Sequence, residues 1–306
     1  MSHRRWWLIG GAAGIVVTAA AGVWIWQATA RPATVEETAV AYLRALESGD
    51  PAAVEATGAA MQQETLDAFS DATALVEDAE VISVSGDDSA PVGGVTATAE
   101  ISFRLGDDRH SAELTLSPVH GKWVVDESGW GVVTVVPSTG SFVSVGGQTV
   151  PAGEATALLP ATYPVTAAPA NLLGGESSVT VVPGDELSVD LEVSLRPEAT
   201  VAAQKQLDDQ LEACTTAGSA PPEGCGIRIP WGTEFRAVSE YRYRIEKLPT
   251  LTLTGSAFTA DDGALVATLT GTGQDGAERE ATYRTDSWSV RGDVTFSAED
   301  LVLSPW

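Results

Sequence analysis

The first thirty residues contain an apolar stretch from Trp6 to Trp26 without a charged side chain. A helix over this stretch would be roughly 31 Å long at about 1.5 Å per residue, which matches a bilayer hydrocarbon core of about 30 Å. Trp6, Trp7, Trp24 and Trp26 mark its two ends, and indole rings concentrate at the membrane interface. The pattern predicts a single transmembrane helix.

The charges around this stretch predict its orientation. Arg4 and Arg5 precede it, whereas Arg31 is soon followed by Glu36 and Glu37. Positive charge stays on the cytoplasmic side of a span. The N-terminus is therefore predicted in the cytoplasm and the remainder of the chain outside.

A cleaved signal peptide is the alternative, because Ala28-Thr29-Ala30 has the small-x-small form of a cleavage site. The apolar stretch is longer than the roughly 7 to 15 residues usual for such peptides, which favours an anchor. Both interpretations export the rest of the chain.

Beyond the span, residues 31–136 change from a helical period to an alternating one. Helical spacing runs from Val35 to Leu46, a second helix opens at Asp50-Pro51, and a third carries Leu66 to Val76 on one side. After Val81 apolar and polar residues alternate, with Gly and Asp turns between the runs. The pattern predicts three helices followed by a curled antiparallel sheet.

The segments AVAYLRALESGDPAAV and GKWVVDESGWG in this region resemble the nuclear-transport-factor-2-like superfamily, and in particular its small members on exported bacterial envelope proteins. The resemblance covers about residues 33 to 136. It implies helices packed into a cone-shaped sheet around a pocket, which some members use for catalysis or ligand binding.

Residues 137–196 are rich in Gly, Pro, Ser, Thr and Val and contain almost no helical pattern. The segments SFVSVGGQTV and ATALLPATYPVTAA resemble a PEGA-type surface β module, whose hallmark is a proline–small–tyrosine turn before a strand. Pro160 and Tyr163 occupy that turn, with Ala161 where the family usually has glycine. The resemblance implies a β-rich module.

A helix returns in residues 197–306, where Val201, Leu207 and Leu211 give part of an apolar face, and five strand-like segments follow. A divergent second copy of the first fold is one interpretation of this order. The predicted fold class is therefore α+β: a cytoplasmic tip and transmembrane helix (1–30), a cone-like helix-plus-antiparallel-sheet domain (31–136), a β-rich module (137–196) and a helix-plus-antiparallel-sheet domain (197–306).

The chain carries 42 acidic residues against 17 basic ones, a formal net charge of −25. Phosphate binding needs clustered Lys and Arg, so this balance argues against nucleic acid as a partner. A cationic partner or loosely held divalent ions stay open, although solubility alone explains the charge. Because 44% of the residues are apolar, the chain can still form packed cores.

Cys214 and Cys225 are the two cysteines of the chain. In an oxidising compartment two cysteines allow one intramolecular pairing. A Cys214–Cys225 disulfide that closes a short loop is predicted.

Several short motifs lack the context that their chemistry needs. GTGQDG at 271–276 matches the dinucleotide pattern, but a strand-like segment follows it instead of a helix. LPATY at 159–163 and Arg-Gly-Asp at 291–293 are interpreted as turns, and the acidic doublets at 87–88, 107–108 and 261–262 lack the spacing of a calcium loop. No metal or cofactor site is predicted.

His120 and Asp126 are the two residues that could imitate the Asp or Asp–His catalysts that the nuclear-transport-factor-2 resemblance implies. His120 stands before Gly121 in a predicted hairpin turn, and Asp126 is followed by Glu127 and Ser128. These neighbours indicate solvent, so no catalytic residue is predicted.

The predicted function is a non-enzymatic binding or scaffolding role in a bacterial cell envelope, on a single-pass membrane protein with extracellular C-terminal domains. Lysine occurs three times and asparagine once, which is typical of a GC-rich bacterial genome. The expected partner is an envelope protein or a cell-wall component. The alternatives are a small-molecule carrier or sensor that uses the cone pocket, and an isomerase- or dehydratase-like enzyme of the same superfamily.

Overall fold

A computed structural model describes residues 33–86, 95–219, 225–227 and 234–306. Strands make up 55% of the described residues and helices 19%, so the protein is mostly β, with curled antiparallel sheets. The predicted α+β class is wrong, because strands greatly outweigh the few helices. The third predicted helix illustrates the error: it ends at Ser70, and Leu75 and Val76 belong to a strand.

The predicted transmembrane helix, with Trp6, Trp7, Trp24, Trp26 and the flanking Arg4 and Arg5, lies outside the described residues. Within the described ranges, no helix has the length and apolar character needed to cross a membrane.

Three helices open the described chain: α1 (Val35–Ser48), α2 (Pro51–Ala56) and α3 (Gln63–Ser70). Thr34 and Glu37 form a capping box at the start of α1, and Gly49 ends it with a φ of 67°, a conformation that glycine adopts without strain. The Asp50 side chain caps α2 by accepting the Ala52 N–H. The start of α2 at Asp50-Pro51 is the one that the sequence predicts.

Thirteen strands follow in the first part of the molecule. They are β1 (Ala74–Ser85), β2 (Ala97–Leu105), β3 (Asp108–Val119), β4 (Lys122–Val125), β5 (Gly131–Pro137), β6 (Phe142–Val145), β7 (Gln148–Pro151), β8 (Ala155–Leu158), β9 (Ala161–Ala168), β10 (Leu173–Gly174), β11 (Glu176–Val181), β12 (Glu186–Leu191) and β13 (Ser194–Leu195). A short 3-10 helix, Glu127–Gly129, separates β4 from β5.

Eight of these strands form one sheet in the order β4-β3-β2-β1-β9-β6-β7, with β11 also paired to β9. A second sheet has the order β12-β5-β8, in which β5 pairs with β12 in parallel. The β1–β9, β5–β8 and β5–β12 pairings join residues on the two sides of the predicted boundary at residue 136. Backbone hydrogen bonds therefore connect these two segments directly.

Two buried tyrosines donate hydrogen bonds to backbone carbonyl groups inside this part of the molecule. The Tyr42 hydroxyl donates to the Gly129 carbonyl oxygen at 2.6 Å, and the Tyr163 hydroxyl donates to that of Leu159 at 2.8 Å. Burial raises the pKa of both phenols above their usual range. Both hydroxyls therefore remain donors at any physiological pH, and their polar atoms are satisfied inside the core.

The second part consists of α4 (Pro197–Ala213) and five strands: β14 (Phe235–Lys247), β15 (Thr250–Thr254), β16 (Ala257–Gly273), β17 (Glu278–Phe296) and β18 (Leu301–Pro305). Strands β16 and β17 form one long hairpin. Near its turn the hairpin pairs with β14, and at its open end it pairs with β15 and β18. Register shifts between Ala260 and Leu265, where Asp262 has a φ of 63°, mark an irregularity between the two halves.

Helix α4 contacts both β15 and β18, and two glutamines bind their backbones. Gln204 accepts the Leu251 N–H at 2.7 Å and donates to the Pro249 carbonyl at 3.1 Å. Gln206 accepts the Leu303 N–H at 2.8 Å and donates to the Leu301 carbonyl at 3.4 Å. The helix therefore satisfies polar groups on the outer edges of two strands that would otherwise be free to pair with other chains.

Replacing Gln206 by alanine is expected to lower the free energy of unfolding by about 1 to 3 kcal/mol, because the backbone groups of Leu301 and Leu303 lose their partner. Gln210→Ala on the same helix is the matched control and should change it by less than about 0.5 kcal/mol. Urea denaturation of the three proteins measures both effects. Equal losses in the two variants would show that the Gln206 hydrogen bonds add nothing to stability.

Candidate functional site

A groove of about 620 Å³ runs along the middle of β17. We call it the β17 groove and define it by its lining residues: Gly226, Ile227, Leu265, Ala267, Tyr283, Arg284, Thr285, Ser287, Trp288, Ser289, Arg291 and Trp306. Strands β16 and β17 supply most of this lining, and the segment after Cys225 and the residue Trp306 supply the rest. The volume is within the range of small-molecule and peptide-side-chain sites.

The disulfide fixes one wall of the groove. Cys214 caps the C-terminus of α4 and is bonded to Cys225, with 6.1 Å between the Cα atoms, which confirms the predicted pairing. Next to it, Gly226 has a φ of +61°, and a Cβ atom there would lie 2.9 Å from the Ser289 carbonyl oxygen. Only glycine fits this close approach, so the cross-link holds residues 225–227 against β17.

Aromatic side chains dominate the apolar part of the groove. Trp288 is buried, with 4% of its surface exposed, and its indole N–H finds no acceptor in the part of the chain that the structure describes. Trp306 is 66% exposed, and its backbone N–H donates to the Arg291 carbonyl at 3.0 Å. An exposed indole beside a buried one offers a flat surface for apolar or ring-shaped groups.

The two arginines of the groove differ in their partners. Arg284 donates to Glu246 and Asp286, and its hydrogen bond to Glu246 contributes most to raising the pKa of Arg284 further. The exposed Arg291 side chain makes no ion pair or hydrogen bond within the described residues. Arg291 is therefore the cation of this groove that is available to an anionic group.

A second cavity, of about 510 Å³, lies between the end of α4 and β14. Its arginine, Arg244, already pairs with Glu246 at 2.9 Å. The Tyr243 hydroxyl is buried without a partner among the described residues, and burial raises its pKa to about 12. With its cation paired, this cavity has less to offer a charged ligand than the β17 groove.

The structure separates the two residues that were considered as catalytic mimics. His120 has a φ of 50° in the exposed turn between β3 and β4. Asp126 follows β4 and accepts the Ser128 N–H at 3.0 Å as the cap of the 3-10 helix. The length of β4, roughly 14 Å at about 3.4 Å per residue, lies between them, so they do not form a pair.

The described short motifs lie in strands and in the turn between β16 and β17. GTGQDG forms the end of β16 and its turn into β17, without a helix that could face a pyrophosphate. Arg-Gly-Asp lies inside β17 rather than in the predicted turn. The doublet at 87–88 lies outside the described residues, and within the described ones no cluster of His, Cys, Asp or Glu could hold a metal ion.

No local pattern in the sequence predicts the β17 groove. Its aromatic and cationic residues are spread from Tyr283 to Trp306 within an ordinary strand pattern. The one usable signal was the cysteine pair, whose second member directly precedes the groove residues Gly226 and Ile227.

No protein family, characterised protein or solved structure shows a significant match to this chain. The resemblances to the nuclear-transport-factor-2-like superfamily and to PEGA modules therefore stay predictions.

The disulfide is expected to contribute about 3 kcal/mol to the free energy of unfolding, because it closes a loop with a sequence separation of 11 residues. The double variant Cys214→Ser/Cys225→Ser should lose this amount in urea denaturation, and dithiothreitol should destabilise only the wild-type protein. Unreduced, denatured wild-type protein should show no free thiol toward Ellman's reagent. Two titrating thiols would contradict the cross-link.

Proposed function

We propose that this protein is a non-enzymatic binding protein that works outside the cytoplasm and contacts its partner through the β17 groove. One observation carries the proposal: an unpaired arginine, Arg291, lies in the same groove as an exposed and a buried tryptophan. Arginine and tryptophan are enriched among the residues that dominate binding energy at interfaces. An envelope protein or a cell-wall component is the proposed partner class.

The chemistry of the lining supports binding rather than catalysis. The described lining side chains carry hydroxyl, indole, guanidinium and aliphatic groups, and none of these residues is His, Cys, Asp or Glu. General acid–base catalysis near neutral pH usually needs a group of one of these kinds within hydrogen-bond reach of the substrate. The separation of His120 and Asp126 is in line with the same conclusion.

The disulfide supports a location outside the cytoplasm. Structural disulfides form and persist in oxidising compartments and are rare where thiols are kept reduced. Because Cys214–Cys225 holds the groove wall formed by Gly226 and Ile227, a reducing compartment would loosen the proposed binding surface. The export predicted from the first thirty residues agrees with this requirement.

A photo-crosslinking amino acid at Ser287, which is exposed in the groove, tests the proposal in intact cells. We expect a discrete adduct that falls at least fivefold when Arg291→Ala is added, because the partner loses its charged contact. The same crosslinker at Ser178, exposed on β11 in the other part of the molecule, is the matched control and should not give this adduct.

Identification of the adduct by mass spectrometry defines the partner class. An adduct that is equal at Ser287 and Ser178, or that does not respond to Arg291→Ala, would overturn the groove as the contact surface.

A further inference from the structure

One edge of β17 is unpaired over most of its length. This 19-residue strand is bonded to β16 along one side, but on the other side β18 covers only residues 292–296. From Glu278 to Ser287 the structure describes no strand on the outer side. Alternate residues there present N–H and C=O groups that an added strand would satisfy.

We propose that the β17 groove binds an extended peptide segment of the partner protein, which adds as a new strand to this outer edge. The inference rests on the proposed function and names the chemistry of its partner. Strand addition takes its affinity from backbone hydrogen bonds and its specificity from pockets for alternate side chains. The unpaired edge provides the backbone hydrogen bonds, and the groove provides the pockets for side chains.

The other edges of this sheet are obstructed. Gln204 and Gln206 occupy the outer edges of β15 and β18. The outer edge of β14 is crossed near its middle, where Gly218 and Tyr241 exchange two backbone hydrogen bonds. Among the described strands of this sheet, β17 therefore offers the longest uninterrupted run of unpaired backbone.

The free stretch is long enough to fix a peptide. Residues 278–287 span roughly 34 Å at about 3.4 Å per residue, which accommodates an octapeptide. Most of their side chains are exposed, and only Ala281 and Tyr283 are half-buried. A strand can therefore approach this edge without displacing core side chains.

The charges along the edge select the peptide. Arg279 pairs with Asp275, and Arg284 pairs with Glu246 and Asp286. These pairs leave Arg291, four residues beyond Ser287, to attract an acidic side chain that extends past the free stretch. The exposed ring of Trp306 and the side chain of Ile227 in the same groove favour an apolar residue two positions from the acidic one, since alternate side chains of a strand share a face.

A library of N- and C-capped octapeptides, each with one acidic and two apolar residues, is the probe. Purified disulfide-bonded protein should select members that bind with dissociation constants in the micromolar range. Each selected peptide is then resynthesised with single backbone N-methyl groups. Methylation at every second position should weaken binding at least tenfold, and methylation at the positions between should change it less than twofold, because only alternate N–H groups face β17.

Arg291→Ala should weaken the binding of the acidic peptides at least fivefold. Arg236→Ala, which removes an exposed arginine of β14, should leave their binding unchanged. A peptide that binds without alternation in its N-methyl series would overturn strand addition. So would the absence of any bound peptide at about millimolar concentration.

The two proposals can fail separately. If the library yields no ligand but the Ser287 adduct still depends on Arg291, the groove binds a partner by another chemistry and only the peptide inference is overturned. Loss of the Arg291-dependent adduct as well would overturn both.

Discussion

The long β16–β17 hairpin determines the organisation of the C-terminal part of the molecule, because its two halves are covered to different extents. At the open end β15 and β18 flank it, and α4 satisfies the outer edges of both flanking strands through Gln204 and Gln206. Near the turn β14 is the only described strand that flanks it, so no described strand pairs with the outer edge of β17 there. The open end of the hairpin is therefore stabilised on both sides, whereas the end near the turn has backbone groups that are available for binding.

The disulfide connects these two halves. Cys214 ends the helix that covers the first half, and Cys225 begins the short segment that lies against β17 beside the groove. A constraint on the helix end is thus also a constraint on the groove wall. Rigid support of this kind reduces the conformational entropy that a surface loses on binding.

The sequence predicted local structure better than long-range pairing. The helix start at Asp50-Pro51 and the cysteine pair follow from short-range chemistry that a few neighbouring residues specify. The parallel pairing of β5 with β12 joins residues about fifty positions apart, and no local pattern encodes it. The fold class was wrong for the related reason that Leu75 and Val76 fit a helical spacing as well as a strand.

The groove was beyond sequence reasoning for a further reason. Arg291, Trp288 and Trp306 become a site only through the register of β17 and the backbone hydrogen bond from Trp306 to Arg291. Each residue alone has the ordinary features of a strand. Which arginine lacks a partner is also a tertiary property. Arg284 and Arg291 are each followed by an Asp two residues later, but of the two only Arg284 forms ion pairs among the described residues.

Arg291 is a single exposed cation on a chain with a net charge of −25, and screening by salt limits what it can contribute to binding. Charges farther than a Debye length, about 8 Å at physiological ionic strength, are largely screened, so Arg291 acts on an acidic group mainly after encounter. An exposed ion pair then adds only about 0 to 1 kcal/mol, which is too little for a stable complex. The larger part of the affinity has to come from desolvated aromatic surface and from backbone hydrogen bonds. The β17 groove offers aromatic surface at Trp288 and Trp306, and the unpaired edge from Glu278 to Ser287 offers backbone hydrogen bonds. Arg291 is therefore best understood as setting the register of a bound strand rather than as the main source of its affinity.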